Sequence, residues 1–105
     1  PVELSDILSG KNPDYSSTKL LKRLLREGYL EECCGNCGYD EYRTSDMSKP
    51  LMLDYLDDDQ TNKNLANLRV LCYNCYYILK MDRLDVDVPS NVKSFQKALY
   101  NTFSR

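Results

Sequence analysis

The period of the apolar positions changes several times along the chain, and each change marks an element. Leu4, Ile7 and Leu8 recur at helical spacing, and Gly10 with Pro13 closes that turn. YSSTKLLKRLLREGYL holds the clearest helix: Leu20, Leu21, Leu24 and Leu25 share one face, Ser16 or Ser17 can cap the start, and Gly28 stops it. EECCGNCGYDEYR is then rich in turn formers. KPLMLDYL alternates and reads as a strand with Leu51, Leu53 and Tyr55 on one side, and DDDQTNKN is a polar loop. LANLRVLC reads as extended after a turn at residues 64–67, and YYILKMDRL starts a helix directly from CYNC. Beyond a DVDVP linker, SNVKSFQKALYNTFSR predicts an amphipathic helix. Ser90 or Asn91 caps it, and Val92, Phe95, Ala98, Leu99 and Phe103 form its apolar face.

Composition narrows this picture. One small domain fits 105 residues, and a core of that size commonly needs a staple such as a metal or disulfide. The net charge of −2 excludes a nucleic-acid-binding polycation as a description of the whole chain. Positive charge is nevertheless concentrated: Lys19, Lys22, Arg23 and Arg26 line the second face of the long helix, either as a solvated face or as a phosphate-contacting surface. No apolar run approaches the roughly 20 residues that span a bilayer.

The five cysteines are Cys33, Cys34, Cys37, Cys72 and Cys75. An odd number suits a disulfide framework poorly, whereas two Cys-x-x-Cys pairs suit a tetrathiolate zinc site in a reducing compartment. Cys34-Gly-Asn-Cys37-Gly38 has the form of a zinc knuckle, and Cys72-Tyr-Asn-Cys75 is its counterpart, 34 residues further on. Four thiolates close a tetrahedron and leave no open position, so Cys34, Cys37, Cys72 and Cys75 are the expected ligands of a structural Zn²⁺. Cys33 is the odd one out.

REGYL, CGNCG, KPLMLDY and TNKNLANLRVLCYNC, in that order, resemble the phage and mobile-element HNH endonucleases that carry a four-cysteine zinc scaffold. NLANLRVLCYNC is the most specific part. The resemblance implies a two-stranded hairpin followed by a helix, tied together by zinc, so the expected fold is small α+β: a zinc-stapled ββα hairpin–helix core with an N-terminal helix and, beyond the family match, an added C-terminal helix. It covers most of an expected domain at residues 1–80, helical in 1–30 and zinc-bearing in 31–80. Residues 81–105 are then a linker and final helix.

In that family an Asp holds a catalytic divalent ion, a following His is the general base, an Asn orients the loop, and a His after the last Cys is a second ion ligand. Carried over, these positions are Asp54, Tyr55, Asn67 and Tyr76, so both histidines are tyrosine and the chain contains no histidine at all. A phenol titrates near about 10 and imidazole near about 6.5, so Tyr is a poor base for water at neutral pH. General-base catalysis supplies about 10²–10⁴-fold.

The expectation from sequence is therefore a non-enzyme: a catalytically inactive HNH-like zinc module, kept as a binding or structural component of a phage or mobile-element assembly. Its expected partner is a protein or larger particle, with nucleic acid second and with no membrane and no small-molecule substrate. Its expected setting is the cytoplasm of a phage-infected bacterium, or a virion. The alternatives are a nucleic-acid-binding protein using the basic helix face at 19–26, and an HNH endonuclease with an atypical active site. Tyr55 and Tyr76 are expected to fill the space of the missing groups, with hydroxyls bonded to Asp54 or Asn67. A covalent tyrosine nucleophile is disfavoured because only Arg69 is near. An EF-hand in Asp57, Asp58 and Asp59 is disfavoured because its Gly and Glu positions fall on Asn62 and Leu68.

Overall fold

A computed structural model describes residues 1–80; the helix expected at 90–105 lies outside the described residues. The element order is α1 (Leu4–Leu8), α2 (Ser17–Arg26), β1 (Leu51–Tyr55), a short 3₁₀ turn (Leu65–Asn67), β2 (Leu68–Cys72) and α3 (Tyr73–Lys80). It is a small α+β fold with an antiparallel two-stranded hairpin followed by a helix, as the sequence led one to expect.

Local chemistry sets the boundaries. The Ser16 hydroxyl accepts from Lys19 N–H at 3.3 Å and caps α2. Gly28 at φ 80° ends it in the left-handed conformation that a Cβ disfavours. The Asn64 side chain accepts from Ala66 N–H and starts the 3₁₀ turn, so residues 65–67 are wound rather than extended. α3 begins at Tyr73, inside the second Cys-x-x-Cys pair, one turn earlier than the apolar pattern marks.

The hairpin register sets Leu51 against Cys72, Leu53 against Val70, Asp54 against Arg69 and Tyr55 against Leu68. Period two then sorts the side chains. Leu53, Tyr55, Leu68 and Val70 meet Leu4, Ile7, Leu20, Leu21 and Leu24 from the N-terminal helices. Leu71 joins a second cluster with Cys34, Cys72 and Cys75, against which Leu51, Tyr76 and Leu79 pack. Helices therefore cover both faces of a two-stranded sheet, which alone would be marginal in water. Ile7, Leu20, Leu24 and Leu71 are fully buried, each removing apolar surface worth about 1.5–3 kcal/mol.

Candidate functional site

The cysteine cluster forms where the first knuckle docks on the end of β2. Gly35 N–H donates to Val70 C=O at 2.7 Å, and a Cβ at Gly35 would lie 3.1 Å from that oxygen, so the close approach favours glycine. Gly38, at φ 82°, donates to Cys34 C=O at 2.9 Å and closes the turn. The second pair spans the β2–α3 junction, where Cys75 N–H donates to Cys72 Sγ at 3.3 Å.

The sulfurs of Cys34, Cys37, Cys72 and Cys75 all lie within 4.8 Å of one another, and Cys37 and Cys72 are 3.8 Å apart. Zn–S bonds of about 2.3 Å in a tetrahedron give S···S edges of about 3.8 Å, whereas a disulfide needs about 2.05 Å. All five cysteines are free thiols, and the fifth, Cys33, lies outside the cluster, with its Sγ 3.8 Å from Glu31.

Electrostatics point the same way. Burial opposes ionisation of Cys34, yet N–H groups directed at its sulfur outweigh it and lower the thiol to about 6. Asn36 donates its side-chain amide to Cys75 and favours that thiolate. Burial and the neighbouring sulfurs outweigh it and push Cys75 up to about 12. Cys34 thus favours the thiolate and Cys75 the thiol, and a dication held between them would offset the cost of ionising Cys75. The donor set fits a metal such as zinc.

The second constellation lies on the α3-facing side of the hairpin. Asp54 is buried, with Arg69 Nε 2.8 Å from one carboxylate oxygen and Lys80 Nζ 3.5 Å from the other. Lys80 also donates to Asp58 at 2.6 Å and to Tyr55 C=O at 3.2 Å. Both oxygens of Asp54 therefore already face cations, and the arrangement does not fit a divalent catalytic ion held by Asp54.

Asn67 organises the adjoining loop. Its side chain accepts from Asp57 N–H and donates to the Asp57 carboxylate and to Asn62 C=O, while its own carbonyl accepts from Leu56 N–H. Hydrogen bonds from Asn62, Asp59 N–H and Asn67 hold the Asp57 carboxyl below the usual range, and Thr61 does the same for Asp59. The acidic run is thus a hydrogen-bonded turn.

Tyr55 corrects an expectation. Its hydroxyl meets neither Asp54 nor Asn67 but Ser17 Oγ, at 2.7 Å, and its ring lies in the core on the opposite face from Asp54. Strand alternation dictates this separation. Tyr76 is half-buried against the cysteine cluster. The basic face of α2 is divided too: Lys19, Lys22 and Arg26 are exposed, whereas Arg23 donates to Val2 C=O at 2.7 Å and stacks on Tyr15. Sequence reasoning missed Lys80, which follows the apolar run YYIL and carries no motif; only its burial among oxygens marks it.

The chain is similar to an H-N-H endonuclease. The match is to H-N-H endonuclease F-TflIV of Escherichia phage T5, 36% identical over 61 residues, covering 58% of this chain and 26% of the relative. The chain thus spans about a quarter of that protein's length. No family model matches, and no solved structure matches. The match overturns the expectation that the chain is not an enzyme: the relative is itself named an endonuclease, and the tyrosines at 55 and 76 are a difference in side chains, not a demonstration of lost activity. Among the described residues no helix is long and apolar enough to cross a membrane.

Proposed function

We propose that this chain is an HNH-like, zinc-stapled nuclease module acting on the phosphodiester backbone of nucleic acid in a phage or mobile-element setting. The observation that carries the reading is the four-cysteine cluster beside a ββα hairpin, in a chain similar to a phage H-N-H endonuclease. The reaction is hydrolysis: water attacks phosphorus and gives up a proton to solvent, the bond to the leaving sugar oxygen breaks, and that oxygen takes up a proton, leaving a phosphate monoester and a sugar hydroxyl. Asp54 holds Arg69, whose side chain is one-third exposed at the hairpin surface. A guanidinium fixed in this way suits paired hydrogen bonds to a phosphate. Tyr55 does not activate the water, because its hydroxyl is spent on Ser17 within the core.

Plasmid nicking by the zinc-loaded protein, with and without added Mg²⁺, Mn²⁺ or Ni²⁺, tests the reading. Nicking is expected, and Asp54→Ala and Arg69→Ala should abolish it while the cysteine cluster keeps its metal. No nicking under any of these conditions would overturn the proposal.

A second reading, binding of nucleic acid along α2, is favoured by the exposure of Lys19, Lys22 and Arg26. It predicts salt-dependent DNA or RNA binding, weakened by charge reversal at those three positions. Unchanged binding would mean that the face is only solvated.

A further inference from the structure

Asp54 stands where the HNH resemblance expects a residue holding a divalent ion, and an ammonium already occupies the space beside it. Lys80 is only 7% exposed, unusual for a lysine. Among the described residues its Nζ faces three oxygens: Asp58 carboxylate at 2.6 Å, Tyr55 carbonyl at 3.2 Å and Asp54 carboxylate at 3.5 Å. Two carboxylates and a backbone carbonyl are the donors that a hard divalent cation takes. Arg69 Nε closes the remaining oxygen of Asp54. The last residue of α3 thus reaches back to the end of β1 and the loop after it.

We infer that Lys80 is the resident cation of this site, its ammonium taking the place of a divalent ion among Asp54, Asp58 and the Tyr55 carbonyl. Among the described residues the ammonium donates two hydrogen bonds, to Asp58 and the Tyr55 carbonyl, and forms an ion pair with Asp54 at 3.5 Å. A divalent ion entering the same space would meet a like charge at contact distance, where repulsion outweighs the attraction of carboxylates that are already paired. Lys80 thereby supplies positive charge to both carboxylates, and Asp54 is left to orient Arg69. This chain's hairpin supplies its positive charge from side chains on β2 and α3, independently of the metal in the cysteine cluster.

The inference takes from the nuclease reading only the correspondence of Asp54 with a metal-holding acid. Its readout is cation binding, so it and the nicking assay fail separately. The probe is Mn²⁺, added to zinc-loaded protein and followed by paramagnetic broadening of backbone amide signals. Wild type should show no broadening centred on residues 54–58. Lys80→Ala and Lys80→Gln should each gain it, with Mn²⁺ bound at least about tenfold more tightly than by wild type, and Asp54→Asn added to either should remove the gain. Broadening at 54–58 in wild type that Asp54→Asn abolishes would overturn the inference. So would folded Lys80 variants that gain no Mn²⁺. If both variants fail to fold, the wild-type titration against Asp54→Asn decides alone.

Discussion

Ser17 and Tyr55, 38 residues apart, share a hydrogen bond of 2.7 Å that pins the first turn of α2 to the last residue of β1. The bond places the phenol inside the core. Tyr55→Phe keeps the ring and removes the hydroxyl, so it should cost about 0.5–1.5 kcal/mol in urea unfolding. Nicking, measured on the folded variant, should be unchanged. A large loss of nicking with little loss of stability would show that the hydroxyl takes part in the chemistry.

Removal of one cluster thiol should remove the metal. Cys72→Ser is expected to drop bound zinc from one per chain to none and to abolish cooperative unfolding, because the binding energy of such a site is folding energy. Cys33→Ser should keep both, since Cys33 lies outside the cluster. Native mass spectrometry with a chelator titration reads the two variants side by side.

The buried charge group on the α3 side of the sheet should be asymmetric in its response. Asp54→Asn leaves Arg69 without its counter-ion and Lys80 with Asp58 alone, and should cost about 1–3 kcal/mol. Asp54→Leu combined with Lys80→Met removes both deeply buried charges and should recover a large part of that loss. Denaturant midpoints of the single and double variants give the coupling. A double variant as unstable as the summed singles would show that the two residues do not act as a pair.

Packing gives a separate contrast on one face. Leu71→Ala, at a position with 0% exposure beside the cysteine cluster, should lose about 2–5 kcal/mol. Tyr77→Ala, on the outer face of α3, should stay within about 0.5 kcal/mol of wild type. Thermal unfolding of the zinc-loaded proteins distinguishes the two.

Acid should weaken the loop after β1. The carboxyls of Asp57 and Asp59 are lowered by hydrogen bonds from Asn62 and Thr61 respectively, so the folded chain holds their protons less readily than the unfolded one. Their contribution is complete above the unfolded value near about 4 and is lost as pH falls through the lower folded values. The difference in melting temperature between wild type and Asp57→Ala should therefore be largest near neutrality and shrink in acid. The comparison is confined to the pH range in which both chains keep their metal and unfold cooperatively. A difference that does not change with pH would remove the carboxylate from the account.

Much of this architecture is written in local pattern. The leucines of α2 repeat at helical spacing with Ser16 before them and Gly28 after them, so the helix and its ends follow from neighbours in the chain. The two Cys-x-x-Cys pairs are equally legible, because the ligand spacing of a knuckle is a property of a few consecutive residues. The alternation of residues 51–55 fixes Leu53 and Tyr55 on one face, but period two cannot say what covers the other.

That second face was decided by tertiary structure. α3 returns across the sheet and buries Asp54 and Lys80 together, an arrangement invisible in sequence because 26 positions separate them and neither carries a motif. On the opposite face, the N-terminal helices met the Tyr55 hydroxyl with Ser17, and Val2 and Tyr15 drew Arg23 out of the basic face. Sequence by itself determined the described helices and strands and the two Cys-x-x-Cys pairs that cluster, since both depend on short-range geometry. Which charges neutralise one another depended on long-range packing, because a buried charge takes whatever partner the fold brings within a few ångströms.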